Sequence, residues 1–193
     1  RPRRLLFVSS TRVYSENDGG WVDESAPVAS GESPAGMIAA AEQALLACGH
    51  PTTLLRCAGL YGGPGARLLQ RIARGELSPA RPVHYGNRIH RDDAAGFIAW
   101  LIDREQDGRA PMDCYNVVDD DPAPQHSVDH WLAAAMSVAA SDDDAGPAPQ
   151  ATRGHKRVLN ERLHASGYAL RYPDFRSGYA AALAGRPGQV ATC

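Results

Sequence analysis

Unbroken apolar runs alternate along the chain with segments whose apolar residues recur every three or four positions. Residues 5–10 (LLFVSS) are such a run, ending in hydroxyls, as expected of a strand buried on both faces. Residues 53–58 (TLLRCA) and 114–118 (CYNVV) repeat the pattern. Ser33-Pro34 opens an alanine-rich helix over 36–48, closed by Gly49 and Pro51, with an apolar face drawn through Ile38, Ala41, Leu45 and Cys48. Further helices are predicted over 66–74, from the capping pair Asp92-Asp93 to 103, and over 127–138, 159–165 and 174–183. Asn17 to Gly20 reads as a turn and 168–171 as a short extended piece. Strands alternating with helices predict an α/β fold with a mostly parallel sheet covered by helices.

Composition narrows the function classes. The chain has 193 residues, 44% hydrophobic and 22% charged, with a formal net charge of -2, so it carries neither a nucleic-acid footprint nor a polybasic membrane patch. A small-molecule partner is the expectation, without nucleic acid or membrane. No apolar run approaches the roughly 20 residues of a membrane span, and RPRRLLFVSS is too short in its apolar part for a secretory signal, which makes a cytoplasmic protein the default reading. Cys48, Cys57, Cys114 and Cys193 form no C-x-x-C pair; the first three read as small apolar filler, and no metal site is expected. Lys156 is the only lysine, hence the single candidate for any mechanism that needs one, although with Arg157 it reads as solvent-facing. The chain opens on Arg1 with an apolar run close behind, so residue 1 reads as the middle of something longer.

Residues 59–65 (GLYGGPG) match G-x-x-G-x-x-G after an apolar run and before a helical pattern. A phosphate cradle needs backbone amides aimed at the pyrophosphate and an acid about 20 residues on for the ribose. Pro64 removes one such amide, and no Asp or Glu lies between Glu76 and Asp92. The loop therefore reads as a structural turn or a substrate-side loop.

The ordered set LLFVSSTRVY (5–14), SPAG with AAAEQALL (33–46), LLRCAGLYGGPG (54–65), NRIHRDDAAGFI (87–98) and YNVVDDDPAP (115–124) resembles the landmarks of the extended short-chain dehydrogenase/reductase superfamily, the NAD(P)-dependent epimerases and dehydratases. The tail HKRVLNERLHASGYALRYPDFRSGYAAAL (155–183) is similar to the end of an epimerase/dehydratase-like bacterial subgroup. The resemblance covers nearly the whole chain. It implies the C-terminal part of a Rossmann-like doubly wound sheet plus a small substrate-binding region, with the dinucleotide fingerprint lying before the strand at 5–10. Residues 1–85 would be the C-terminal half of the NAD(P)-binding domain. Residues 86–185 would complete the sheet and bind substrate, with a mobile linker at 140–151, and 186–193 would be a disordered tail. On the same resemblance the helix at 36–48 would form a homodimer.

The superfamily's chemistry uses a Ser or Thr on the reacting oxygen, a Tyr that exchanges the proton, and a Lys four residues later. A phenol near pKa 10 needs that cation to act at neutral pH. The resemblance places Ser10, with Thr11 beside it, in the catalytic hydroxyl position. It places Ser9, Ala58, Gly59 and Leu60 at NAD or NADP, and Tyr61, Arg88 and His90 at the substrate. The tyrosine slot falls on Ala35 or Pro34 and the lysine slot on Ala39 or Ile38, none of them ionisable. Two readings stay open: an atypical oxidoreductase acting on a small carbonyl or sugar-derived substrate, or an inactive dinucleotide-sensing or interaction protein. Three other polar clusters read as bland. Asp92 and Asp93 cap a helix, His126 and His130 form a surface pair rather than a zinc site, and Asp119 to Asp121 form a solvated turn.

Overall fold

The computed structural model describes residues 2–63, 67–139 and 155–184. The linker expected at 140–151, the tail 186–193 and Pro64 lie outside the described residues. In chain order the elements are β1 (Leu5–Ser10), a 3-10 turn (Thr11–Val13), β2 (Trp21–Val22), α1 (Pro34–Leu46), β3 (Thr52–Cys57), β4 (Gly59–Tyr61), α2 (Arg67–Ala73), β5 (Arg88–His90), α3 (Arg91–Gln106), β6 (Cys114–Val117), α4 (Gln125–Ala135), β7 (Arg157–Val158), α5 (Glu161–Ala165) and α6 (Phe175–Ala184).

The three long apolar runs make one parallel sheet in the order β1-β3-β6, and two short parallel pairs, β2-β7 and β4-β5, extend beside it. Every residue of central β3 is buried. Leu55 and Cys57 pack with Phe97 and Leu101 of α3, and with Tyr115 and Val117 of β6. Arg56 points to the other face, toward α1. Helices therefore cover both faces, as a parallel sheet requires. β1 differs from its expected two-sided burial: among the described residues it stands at the edge of the sheet, and Val8 is 54% exposed.

Ser33 caps α1 by accepting from the Gly36 amide at 3.0 Å, and Pro34 fills the first turn, where its missing N–H costs nothing. The face that α1 buries is Gly36, Ala39 and Glu42, not the stripe through Ala41 and Cys48. The reason is electrostatic. Glu42 is drawn inward by Arg56, whose Nη2 donates to its Oε2 at 2.7 Å, and Ser9 Oγ donates to its Oε1 at 2.5 Å. That rotation leaves Met37 64% exposed and Cys48 on the surface rather than in the core. Cys57 and Cys114 are buried, and burial pushes both thiols up to about 11.

A second cluster joins α2, α4 and α6 through Leu69, Ile72, Val128, Leu132, Phe175 and Tyr179. Asp93, in the first turn of α3, ties the end of the chain to the sheet. Its buried carboxylate accepts from the Arg171 amide at 2.7 Å and the Tyr172 amide at 2.9 Å, while His90 takes the cap position. Among the described residues no helix is long and apolar enough to cross a membrane.

Candidate active site

A cleft of about 820 Å³ opens at the carboxyl ends of β1 and β3, the usual ligand position in a parallel α/β sheet. Its upper wall is Ser10, Thr11 and Arg12, where β1 ends in the 3-10 turn. Ser10 Oγ accepts from the Arg12 amide at 3.2 Å, which spends a lone pair and leaves the hydroxyl proton available to an oxygen in the cleft. Gly59, Leu60 and Tyr61 of β4 form the opposite wall. Leu60 is 61% exposed, whereas the Tyr61 hydroxyl is committed to the Asp174 carbonyl at 3.3 Å, and burial raises its pKa.

The floor is basic. Arg67 and Arg71, one helical turn apart on α2, and Arg88 on β5 line the cleft together with Lys156. No carboxylate lines it among the described residues. Arg71 is anchored from behind: its Nη2 donates to Asp129 Oδ2 at 2.6 Å, and that buried carboxylate also accepts from the Ser78 amide and from Gln125. Arg88 is 6% exposed, lies over the Phe175 ring at 5.4 Å and donates to the Asp121 carbonyl at 3.3 Å. Behind it sits Asp119, 2% exposed rather than in a solvated turn, with Oδ2 lacking a hydrogen-bond partner. Burial pushes Asp119 up to about 8, against the pull of Arg88. Burial thus favours the neutral carboxyl at Asp119 beside the Arg88 guanidinium.

The remaining sequence candidates face inward. The Ser9 hydroxyl is used by Glu42, and the Ala58 amide donates to the Val117 carbonyl at 3.1 Å. His90 is 4% exposed, its Nδ1 accepts from the Asp92 amide at 3.2 Å, and burial lowers its pKa. It packs edge-on to Tyr61 and beneath Gly62, where a φ of +89° and contact with the imidazole both exclude a side chain. Tyr14 is not a proton donor for the cleft: its hydroxyl donates to Asn116 Oδ1 at 2.6 Å, and burial pushes it up to about 12. The residues read for the tyrosine and lysine slots, Ala35 or Pro34 and Ala39 or Ile38, all stand on α1, with Ala39 buried.

Lys156 and Arg157 are not on a solvent face. Lys156 is 4% exposed, and the Arg157 guanidinium lies 4.7 Å from the ring centroids of both Trp21 and Tyr85. Stacking rather than solvation holds that arginine. His126 and His130 pack ring to ring at 4.0 Å, and His126 Nδ1 meets the Ser78 carbonyl at 3.0 Å. Among the described residues no cluster is suited to a metal ion.

A parallel sheet with helices on both faces and a cleft at its carboxyl edge defines a Rossmann-like protein. No family profile matches the sequence, and no curated protein does. Solved structures do. A Methylobacillus flagellatus protein assigned to the NAD-dependent epimerase/dehydratases is 40% identical with a TM-score of 0.79, covering 94% of this chain and 64% of its own. A conserved Silicibacter pomeroyi protein of unknown function is 31% identical with a TM-score of 0.77, covering 94% and 66%. A human epimerase family protein, solved with NADPH, has the same fold at 18% identity and a TM-score of 0.79, covering 96% and 66%. The chain belongs to the NAD(P)-dependent epimerase/dehydratase-like branch of the extended short-chain dehydrogenase/reductase superfamily. It spans slightly under two thirds of the length of these relatives.

Proposed function

We propose that the protein is an atypical NAD(P)-dependent oxidoreductase of the epimerase/dehydratase type, acting on a small carbonyl or sugar-derived substrate that carries negative charge. The observation that carries this reading is the cleft itself: Ser10, whose hydroxyl oxygen accepts from the Arg12 amide, lines it together with Arg12, Arg67, Arg71 and Arg88, with no carboxylate among its described residues. NADPH and NAD in structures of the same fold support the choice of cofactor. The fit to a dinucleotide is local. Gly59 and Leu60 open on the cleft beside Ser10 and Thr11, while Ser9 and Ala58 are turned to the interior. The nicotinamide would supply or accept hydride. Ser10 would hydrogen-bond the reacting oxygen, and Arg67 and Arg88 would hold the anionic group.

The test is oxidation of NADH or NADPH by the full-length protein with small carbonyl compounds bearing phosphate or carboxylate. Turnover is expected, and Ser10→Ala should lower kcat by about 10²–10³, the usual loss on removing one such donor. Cofactor binding with no turnover across that set would favour the sensing reading, to which the absence of an ionisable residue from the tyrosine and lysine slots in either register specifically points. We extend the proposal to a homodimer through the outward face of α1, where Met37, Ala40, Ala41 and Ala44 are exposed. A monomeric mass in solution would remove that part of it.

A further inference from the structure

This inference rests on the cleft being a small-molecule site, and it concerns the amine that the redox reading leaves unused. Lys156 is the sole lysine of the chain, buried beside β7 and lining the cleft. Its backbone is clamped by Asn87, whose Nδ2 donates to the Lys156 carbonyl at 2.9 Å and whose Oδ1 accepts from the Val158 amide at 2.9 Å. From there the side chain crosses to the turn after Ser10, and Nζ donates to the Tyr14 carbonyl at 3.0 Å.

An ammonium has three donors, and Tyr14 takes one. Among the described residues no carboxylate forms an ion pair with Lys156. The charge of Glu16 pulls against the burial that lowers the Lys156 pKa, without a direct ion pair. A buried cation with one hydrogen bond and no direct ion pair is costly, and arginines share the lining of the cleft. An oxygen anion entering from the cleft would meet both deficits. We propose that Lys156 is a ligand-binding residue of the cleft, receiving the phosphate or carboxylate of a small molecule whose remainder lies toward Ser10 and Thr11.

Labelling with pyridoxal 5′-phosphate tests this without turnover. The neutral amine adds to the aldehyde carbon, water leaves, and borohydride delivers hydride to the imine carbon to give a stable secondary amine that peptide mapping locates. In the folded full-length protein a Lys156 held as an ammonium against an anion cannot add to the aldehyde, so a saturating anion should slow its labelling about tenfold, the common worth of a charge-assisted contact. Inorganic phosphate should suppress labelling more strongly than acetate for a phosphate ligand, and the reverse order identifies a carboxylate ligand. Lys156→Met should weaken phosphate binding about tenfold, with Lys156→Arg close to wild type. The proposal is overturned by labelling that neither phosphate nor acetate slows, or by a Lys156 that reacts only in urea. Because wild-type labelling is read independently, a Met variant that fails to fold does not rescue it. Anion-suppressed labelling without NAD(P)H turnover leaves this inference standing and removes the redox reading, and turnover with labelling that no anion suppresses does the opposite.

Discussion

Arg56→Met lowers the stability of the folded protein by about 3–5 kcal/mol, read as a drop in the urea midpoint with an unchanged slope. The magnitude comes from what is left behind rather than from the ion pair itself. Glu42 is fully buried, and its carboxylate accepts two bonds from Arg56 Nε, at 3.1 and 3.2 Å, and one from Nη2 at 2.7 Å. Methionine replaces the apolar stem but none of these donors, so a buried carboxylate keeps only Ser9 Oγ. The double variant Arg56→Met with Glu42→Leu removes both charges and should recover most of the loss, because a buried pair and a well-packed apolar replacement are often nearly equivalent in energy. A single variant within about 1 kcal/mol of wild type would show that water reaches Glu42 and that the pair does not hold α1 in place. The site depends on the outcome. Ser9 precedes Ser10, so the network that rotates α1 also fixes the end of β1 where the cleft hydroxyl stands.

The same network explains what was legible in the sequence. Apolar runs located β1, β3 and β6 to within a residue; in β3 and β6 burial of a parallel strand demands that continuity, whereas β1 keeps it while partly exposed. They did not reveal β4 and β5, whose three-residue ladder joins Tyr61 to His90 across a long sequence gap and includes a buried arginine. The inward face of α1 was misread because alanine marks neither face and a buried Glu42 has the signature of a surface residue. Lys156 and Asp119 were misread for the same reason: flanked by Arg157 and by Asp120, they look solvated, and only tertiary packing buries them. At the site, Ser10, Thr11, Gly59, Leu60, Tyr61 and Arg88 meet on one cleft, whereas Ser9, Ala58 and His90 serve the interior. Two signals were available for the residues missed. Arg67 and Arg71 stand at i, i+4, and a chain rich in arginine retains one lysine.

Asp119→Asn should flatten the pH dependence of stability between about pH 4 and pH 8. Burial raises Asp119 from 3.8 to about 8, opposed by Arg88 and by the bond from the Asp121 amide, and assisted by the charges of Asp121 and Asp120. Those two neighbours are partly answered by Arg176 at 3.2 Å and His164 at 2.7 Å, so desolvation remains the leading cause. The sign follows from proton counting. Across that window the folded chain holds a proton at position 119 that the unfolded chain has released, so stability falls as pH rises, by up to about 1.4 kcal/mol per pH unit. Below the unfolded value both states are protonated and the contribution is complete; above about 8 it has been lost. Asparagine cannot ionise, and its slope contribution is zero. Its amide meets the same unpartnered surroundings as the protonated carboxyl, so the two proteins should be of similar stability at pH 5, with the variant the more stable at pH 9, where wild type must ionise a buried carboxylate. Urea midpoints at pH 5, 7 and 9 measure it. Parallel curves for the two proteins would mean that Asp119 ionises at its ordinary value, and that its charge then stands behind Arg88 and weakens the cleft's hold on anions at neutral pH.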